Sequence, residues 1–270
     1  MESIPVVTII TITYQAAYVL KDTMNSVFNQ DTSNYEYLLI DGGSTDGTID
    51  IIKTFEPLFM KKSISLRWIS EPDKGLYDAM NKGLRMACGE YIWFMNAGDT
   101  IATPHTLSGI LDCIKSAEED LSAQQTGEKW LPDFIYGETM IITENGKVRG
   151  PRRLKVPAEL TWKSFRMGML VCHQSMLVKR CIAPEFNLNY RYSADFDWAI
   201  RCLRSSSIIV NTNLVLSHFL EGGVTNKKMM ASLKERFRIM SENYGWCSTV
   251  LLHDWFFLRA IWFRLIHGWI

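Results

Sequence analysis

Tyr37-Leu38-Leu39-Ile40-Asp41-Gly42-Gly43-Ser44-Thr45-Asp46-Gly47-Thr48 leads from an apolar strand, through a glycine turn, into a helical pattern of Ile49, Ile51, Ile52 and Phe55. The strand ends on an acidic residue. Open α/β sheets bind ligands just outside the carboxyl ends of their strands, where a carboxylate such as Asp41 can hold a base or a sugar hydroxyl. The same residues also read as a plain connection, with glycines for positive φ and Ser44 or Thr45 as the N-cap.

The β-α alternation extends to both sides of this turn. Val6 to Thr13 is a β-branched run of the kind buried in a parallel sheet, followed by helical spacing of Leu20, Met24, Val27 and Phe28. Downstream, Leu66 to Ile69 reads as a strand, Leu76 to Ala87 as a helix, and Tyr91 to Met95 as a strand too apolar for an edge. Thr103-Pro104 reads as a cap with proline at the first helical position, before a stripe of Leu107, Ile110, Leu111 and Ile114. Repeated units of this kind predict a doubly wound, mostly parallel α/β sheet.

Beyond Ala117 the pattern changes. Residues 118–129 are polar and read as a mobile excursion, and Tyr136 to Thr143 with Val148-Arg149 flank the hairpin signal Asn145-Gly146. Val171 to Val178 reads as a strand, Ser193 to Cys202 as a capped helix, and Ile208 to Val210 and Val215-Leu216 as short strands.

With 270 residues the chain can bury a sizeable core, and 29 basic against 29 acidic residues leave no footprint for a polyanion, so nucleic acid is disfavoured as a partner. The six cysteines form no Cys-x-x-Cys pair and read as reduced core residues of a cytoplasmic protein. The first residues read as the approach to a strand rather than a signal peptide.

Two more acidic residues follow strands. Asp73, in Glu71-Pro72-Asp73-Lys74-Gly75, follows the third, and Asp99, in Asn96-Ala97-Gly98-Asp99, follows the fourth. One protein carboxylate suffices for a hard cation when a diphosphate completes its oxygen shell. As turn chemistry, both segments also read as Asx-type connections.

Taken together, Thr11-Ile12-Thr13-Tyr14, the Asp41 turn, Glu71-Pro-Asp73-Lys-Gly, Asp78-Ala-Met-Asn81-Lys-Gly and Asn96-Ala-Gly-Asp99 resemble the family 2 glycosyltransferases of the GT-A fold. The resemblance is greatest to the bacterial exopolysaccharide and O-antigen branch, including the colanic acid transferases. It runs from about residue 6 to about residue 225. It implies a GT-A domain over residues 1–230, with a nucleotide-sugar half over about 1–117, an acceptor half over about 130–230, and a helical, aromatic-rich tail over 231–270.

The resemblance implies that Thr13, Tyr14, Asn81, Asn96 and Ala97 line the nucleotide site, that Asp41 meets the base, and that Asp73 lies near base or ribose. It makes Asp99 the ligand of Mn²⁺ or Mg²⁺. His218, after Val215-Leu216-Ser217, reads either as an extra metal ligand or as a hydrogen-bonded structural histidine. Asn96 and Gly98 stand where the commonest form of the motif carries carboxylates, so the local negative charge is lower than in that form. Ser193-Ala194-Asp195-Phe196-Asp197 matches the segment whose acidic residue takes the acceptor's proton, and the match falls on Asp195. Asp197 points roughly 200° away around a helix. Cys172-His173-Gln174-Ser175 resembles the family's His-Gln-Ser segment near the acceptor pocket. Glu221-Gly222-Gly223-Val224-Thr225 reads as a loop able to close over the donor, and Arg152, Arg153 and Lys155 as a basic loop.

The expected activity is inverting sugar transfer from a nucleotide-diphosphate donor, UDP-sugars favoured, to a glycan or a polyprenyl-diphosphate-linked glycan of a surface polysaccharide. A nucleotidyltransferase is the alternative enzyme, but Thr13-Tyr14-Gln15-Ala16-Ala17 lacks the glycine-rich phosphate loop such an enzyme places after its first strand. An inactive nucleotide-sugar binder is the third reading. Val250 to Ile270 carries many aromatics but too many charges for a membrane span, and reads as an amphipathic helix at a membrane interface, or as one packed on the domain or in a dimer contact.

Overall fold

Val7–Thr13 (β1) has no exposed residue, as expected of a β-branched strand with neighbours on both sides and layers on both faces. The computed structural model describes residues 6–124, 131–221 and 228–267. Tyr35–Asp41 (β2) and Tyr91–Phe94 (β4) flank β1, both parallel to it, and Ser65–Ser70 (β3) lies beyond β2. Ala17–Phe28 (α1), Thr48–Lys61 (α2) and Leu76–Met86 (α3) connect these strands.

The chain fills the sheet to one side of β1 with β2 and β3, then returns to its other side with β4. The gap between the ends of β1 and β4 is therefore a topological switch point, the place where open α/β sheets take ligands.

Beyond β4 come Met176–Lys179 (β8), Phe134–Ile142 (β6), Ile209–Leu220 (β9) and the short Thr100–Ile101 (β5), with Val148–Pro151 (β7) paired to β6. β8 is antiparallel to both β4 and β6, while β6 and β9 run parallel to each other. The mostly parallel α/β sheet agrees with the expected GT-A class. One hydrophobic cluster, including Phe94, Phe186 and Trp198, packs α3 and Ala194–Ser205 (α5) on one face. The other, including Trp93, Phe59 and Leu107, packs α1, α2 and Thr106–Gln124 (α4) on the opposite face.

Several elements differ from the sequence reading. α4 starts at Thr106, not Pro104, because Thr103-Pro104-His105 form a turn in which the Thr106 hydroxyl accepts from the Thr103 N–H at 2.9 Å. It then continues to Gln124 through half of the polar stretch read as an excursion; residues 125–130 lie outside the described residues. The α2 N-cap is Gly47 at φ 97°, and the Asp46 carboxylate accepts from the Thr48 and Ala17 N–H groups. Only the second half of Val171 to Val178 is strand, since His173–Ser175 forms a 3₁₀ turn. The two short strands near the end are one strand, β9, carried past Asn213 in the left-handed region at φ 55°.

All six cysteines are free, but Cys88, Cys181 and Cys247 are exposed rather than core residues. Met229–Tyr244 (α6) and Trp246–His267 (α7) follow, and Ile239 and Met240 of α6 lie in the same core as Phe196. Among the described residues no helix is long and apolar enough to cross a membrane. Of the loop expected to close over the donor, Glu221 to Thr225, all but Glu221 lies outside the described residues.

Candidate active site

Asp99 follows β4 in a tight turn, with Gly98 at φ 100°. Its carboxylate is buried, accepting from Gln174 Nε2 at 2.7 Å and from the Leu220 N–H at 3.0 Å. Burial pushes it up to about 6, against the two hydrogen bonds, which lower it. Gln174 is held in turn by β4, whose Trp93 indole donates to the Gln174 carbonyl at 2.8 Å.

The preceding residue, His173, faces the other way along the same turn. Its Nδ1 lies 3.4 Å from Asp195 Oδ2 and its Nε2 lies 3.0 Å from Asn96 Nδ2. The two adjacent residues of the 3₁₀ turn thus tie Asp99 and Asp195, 96 positions apart in the chain (195 − 99), into one site.

Asp195 stands in the first turn of α5. Glu235 of α6 fixes the approach by accepting the N–H groups of Arg191, Tyr192 and Ser193 at 2.8–2.9 Å. The Ser193 hydroxyl does not cap α5; it bonds to Ser232 at 2.8 Å. Asp195 Oδ1 accepts from Tyr77 and from the Phe196 N–H, at 3.1 and 2.9 Å. Burial pushes this carboxyl up, but His173, Arg236 and Tyr77 outweigh it and hold Asp195 below the usual carboxylate range. Asp197 points elsewhere, to Arg201 Nε at 2.8 Å.

At the end of β1 the Tyr14 ring is 63 % exposed. A Cβ on Gly42 would lie 3.2 Å from this ring and 2.7 Å from Asp73 Oδ2, so Tyr14, Gly42 and Asp73 form one wall. Asp73 also accepts from the Gly75 N–H at 2.8 Å, and Ala97 donates its N–H to the Ile12 carbonyl at 3.2 Å.

Asp41 is fully buried. Its Oδ2 accepts from Gly43 N, Ser44 N and Ser70 Oγ, and its Oδ1 from Ser44 Oγ. Those contacts knot the turn. Asn81 is buried as well, and its amide exchanges two hydrogen bonds with the Phe186 backbone, at 3.0 and 2.7 Å, clasping α3 to the loop before α5.

Among the described residues, six buried side-chain polar atoms lack a partner, and three belong to this region: Thr13 Oγ1, Asn96 Oδ1 and Gln174 Oε1. Such atoms cost about 1–3 kcal/mol each when left dry, so they call for water or a polar ligand.

Among the described residues no three His, Cys, Asp or Glu side chains converge into a metal cage. Asp99 with nearby amide oxygens does suit a hard cation whose remaining ligands come from a diphosphate. His218 sits on β9 two residues before Leu220, and burial holds its imidazole below the ordinary range, in the neutral form that ligation needs.

Gln174 and Tyr77 received no site role from the sequence. The signal for Gln174 was its place beside His173 in the His-Gln-Ser segment. Tyr77 carried no signal at all, because an aromatic in an apolar helical stripe reads as core.

Comparison with known proteins agrees with this fold. A PGL/p-HBAD biosynthesis glycosyltransferase of Mycobacterium bovis is 29 % identical over 273 residues, covering 98 % of this chain and 97 % of its own length. The structure of Staphylococcus aureus TarS 1-349 in complex with UDP-GlcNAc superposes with a TM-score of 0.64 at 14 % identity, covering 87 % of this chain and 66 % of that one. The mannosyltransferase PcManGT of Pyrobaculum calidifontis, in complex with GDP-Man and Mn²⁺, superposes with a TM-score of 0.61 at 17 % identity, covering 100 % of this chain and 77 % of that one. The sequence model of Glycosyl transferase family 2 matches residues 8–178, more than half of the chain, and the chain belongs to that family.

Proposed function

We propose that this chain transfers a sugar from a nucleoside-diphosphate donor, UDP-sugars favoured, to a hydroxyl of a glycan acceptor, with inversion at the anomeric carbon. The observation that carries this reading is the shared turn: His173 reaches Asp195 while Gln174 reaches Asp99. A carboxylate for the donor side and one for the acceptor side thereby stand in one site.

On the donor side, Tyr14 and Asp73 form a wall beside Gly42 suited to base and ribose, and Thr13, Asn96 and Ala97 line the strand ends. Asp99, with His218, would hold Mn²⁺ or Mg²⁺. When bound, that ion supplies positive charge opposite the diphosphate. On the acceptor side, Asp195 is ionised at neutral pH because its neighbours stabilise the anion. It takes the proton of the acceptor hydroxyl as that oxygen bonds to the anomeric carbon from the face opposite the leaving group. The bond from anomeric carbon to phosphate oxygen breaks, and its electron pair leaves on the nucleoside diphosphate. A single displacement of this kind needs no covalent intermediate on the protein.

The acceptor we favour is a glycan carried on a polyprenyl diphosphate, met at the inner face of the cytoplasmic membrane. α7 supports this. Its Thr249 side is buried and His253 packs against Phe237, whereas Leu251 and Trp255, one turn apart on another face, are 69 and 56 % exposed.

The test is a thermal-shift screen of UDP, GDP and dTDP with and without Mn²⁺, followed by product detection with the matching sugar donors. Stabilisation by one nucleotide and release of that nucleotide on sugar transfer is the expected result. A nucleotide bound without any transfer would support a binding protein instead, and formation of a nucleotide sugar from a sugar phosphate would support a nucleotidyltransferase.

A further inference from the structure

Asn96, His173 and Asp195 come from three separate elements: the turn after β4, the 3₁₀ turn before β8, and the start of α5. They form a chain of contacts, 3.0 Å from Asn96 Nδ2 to His173 Nε2 and 3.4 Å from His173 Nδ1 to Asp195 Oδ2. The side chains of His173 and Asp195 are only 13 and 18 % exposed, so water does not replace these contacts freely.

The direction of the chain follows from donor chemistry. An amide nitrogen only donates, so Nε2 accepts and the ring proton resides on Nδ1. In a neutral ring, the reverse orientation of the Asn96 amide would demand the proton on Nε2 and leave a bare Nδ1 facing a carboxylate, acceptor against acceptor. For the neutral imidazole the carboxylate therefore selects both the tautomer and the amide orientation, and among the described residues Asn96 Oδ1 is left buried without a partner.

The two oxygens of Asp195 are also unlike. Oδ1 receives Tyr77 and the Phe196 N–H, which occupies both of its lone pairs. Among the described residues Oδ2 meets only His173, and it keeps one lone pair for a substrate proton.

We propose that His173 is a positioning residue: locked by Asn96 as the Nδ1–H tautomer, it donates to Asp195 Oδ2 and turns the free lone pair of that oxygen toward the acceptor hydroxyl. The inference rests on the reading of Asp195 as the general base.

The experiment has two arms. In the first, ¹⁵N-histidine-labelled full-length protein is examined by NMR, with the His173 signals identified by their loss in His173→Asn. The expected protonated nitrogen is Nδ1, the reverse of what free histidine favours. In the second, His173→Asn, which keeps a donor near the Nδ1 position, is compared with His173→Gln, which keeps one near the Nε2 position. His173→Asn is expected to retain kcat within about 10-fold, and His173→Gln to lose about 100-fold, with the donor KM of both within about 2-fold of the parent. A wild-type chain with no transfer overturns the functional reading. A transferring wild-type chain with the proton on Nε2, or with His173→Gln as fast as His173→Asn, overturns this inference alone.

Discussion

Tyr77 donates its hydroxyl to Asp195 at 3.1 Å across 118 positions of the chain, so the side chain read as the base is oriented from the nucleotide half as well as from its own helix. The Tyr77 ring stacks on Phe186 with centroids 5.6 Å apart and is buried. Tyr77→Phe keeps that packing and removes the donor. We expect a loss of about 0.5–1.5 kcal/mol in stability by denaturant titration. The drop in kcat should be small beside that of removing the carboxylate itself.

Removing the carboxylate is the stronger test. Asp195→Asn should lower transfer by about 10²–10⁴-fold while nucleotide affinity by calorimetry stays within a few-fold of the parent. Near-normal turnover in this variant would rule out Asp195 as the base.

Gly42 does not sit at positive φ, so alanine is acceptable to its backbone, but the new Cβ would meet Asp73 Oδ2 at 2.7 Å and Tyr14 at 3.2 Å. Both neighbours must move. Gly42→Ala is expected to weaken nucleotide binding by about 10-fold, with a melting temperature close to the parent. Unchanged affinity would place the nucleotide elsewhere than against this wall.

Glu36 is a buried carboxylate in β2 that gathers the Thr8 hydroxyl at 2.7 Å, the Cys88 N–H at 2.6 Å and Arg67 Nη2 at 2.6 Å. Burial pushes it up, yet these partners prevail and hold it below its ordinary 4.5. A depressed native value contributes stability above the ordinary glutamate range and loses it as pH falls through the native value. Glu36→Gln should therefore cost about 1–3 kcal/mol at pH 7 and flatten the acid limb of stability against pH. Equal acid sensitivity in both proteins would exclude Glu36 as its source.

The exposed pair Leu251 and Trp255 gives a test of the membrane reading that leaves the buried side of α7 intact. The double change Leu251→Ser, Trp255→Ser should reduce co-sedimentation with vesicles containing anionic lipid and leave nucleotide affinity unchanged. Equal sedimentation of parent and variant would point to a protein contact for this face.

Much of the nucleotide half was legible because its strands are unbroken β-branched or aromatic runs, bounded by glycine turns. Where the reading slipped, a local signal had been overruled by long-range pairing. Asn211-Thr212-Asn213 reads as a break, yet β9 continues through it along β6 because Asn213 tolerates a left-handed backbone. Val171 to Val178 reads as one strand, but the Trp93 indole captures the Gln174 carbonyl and the first half coils into a 3₁₀ turn.

The site was legible as a set of residue types and not as a set of partners. Asp41 ends the strand as expected, and its carboxylate also ties its own turn to Ser70, 29 positions away. Asn81 likewise closes on a backbone 105 positions distant. Spacing cannot disclose such contacts, since they depend on how the two halves dock.

β8 enters the sheet against the direction of β4, so its first residues arrive at the very edge where the parallel strands finish. The segment carrying His173 and Gln174 is consequently indexed to the sheet like a tooth on a gear. The stretch before Cys172 is anchored too, since Val171, Met169 and Phe165 are buried in the same core as Phe196. One residue inserted between Gln174 and Met176 would swing both hands of the site off their carboxylates at once. Positions 173–176 should therefore tolerate no change of length, and His173 and Gln174 should tolerate substitution only at a cost to both contacts.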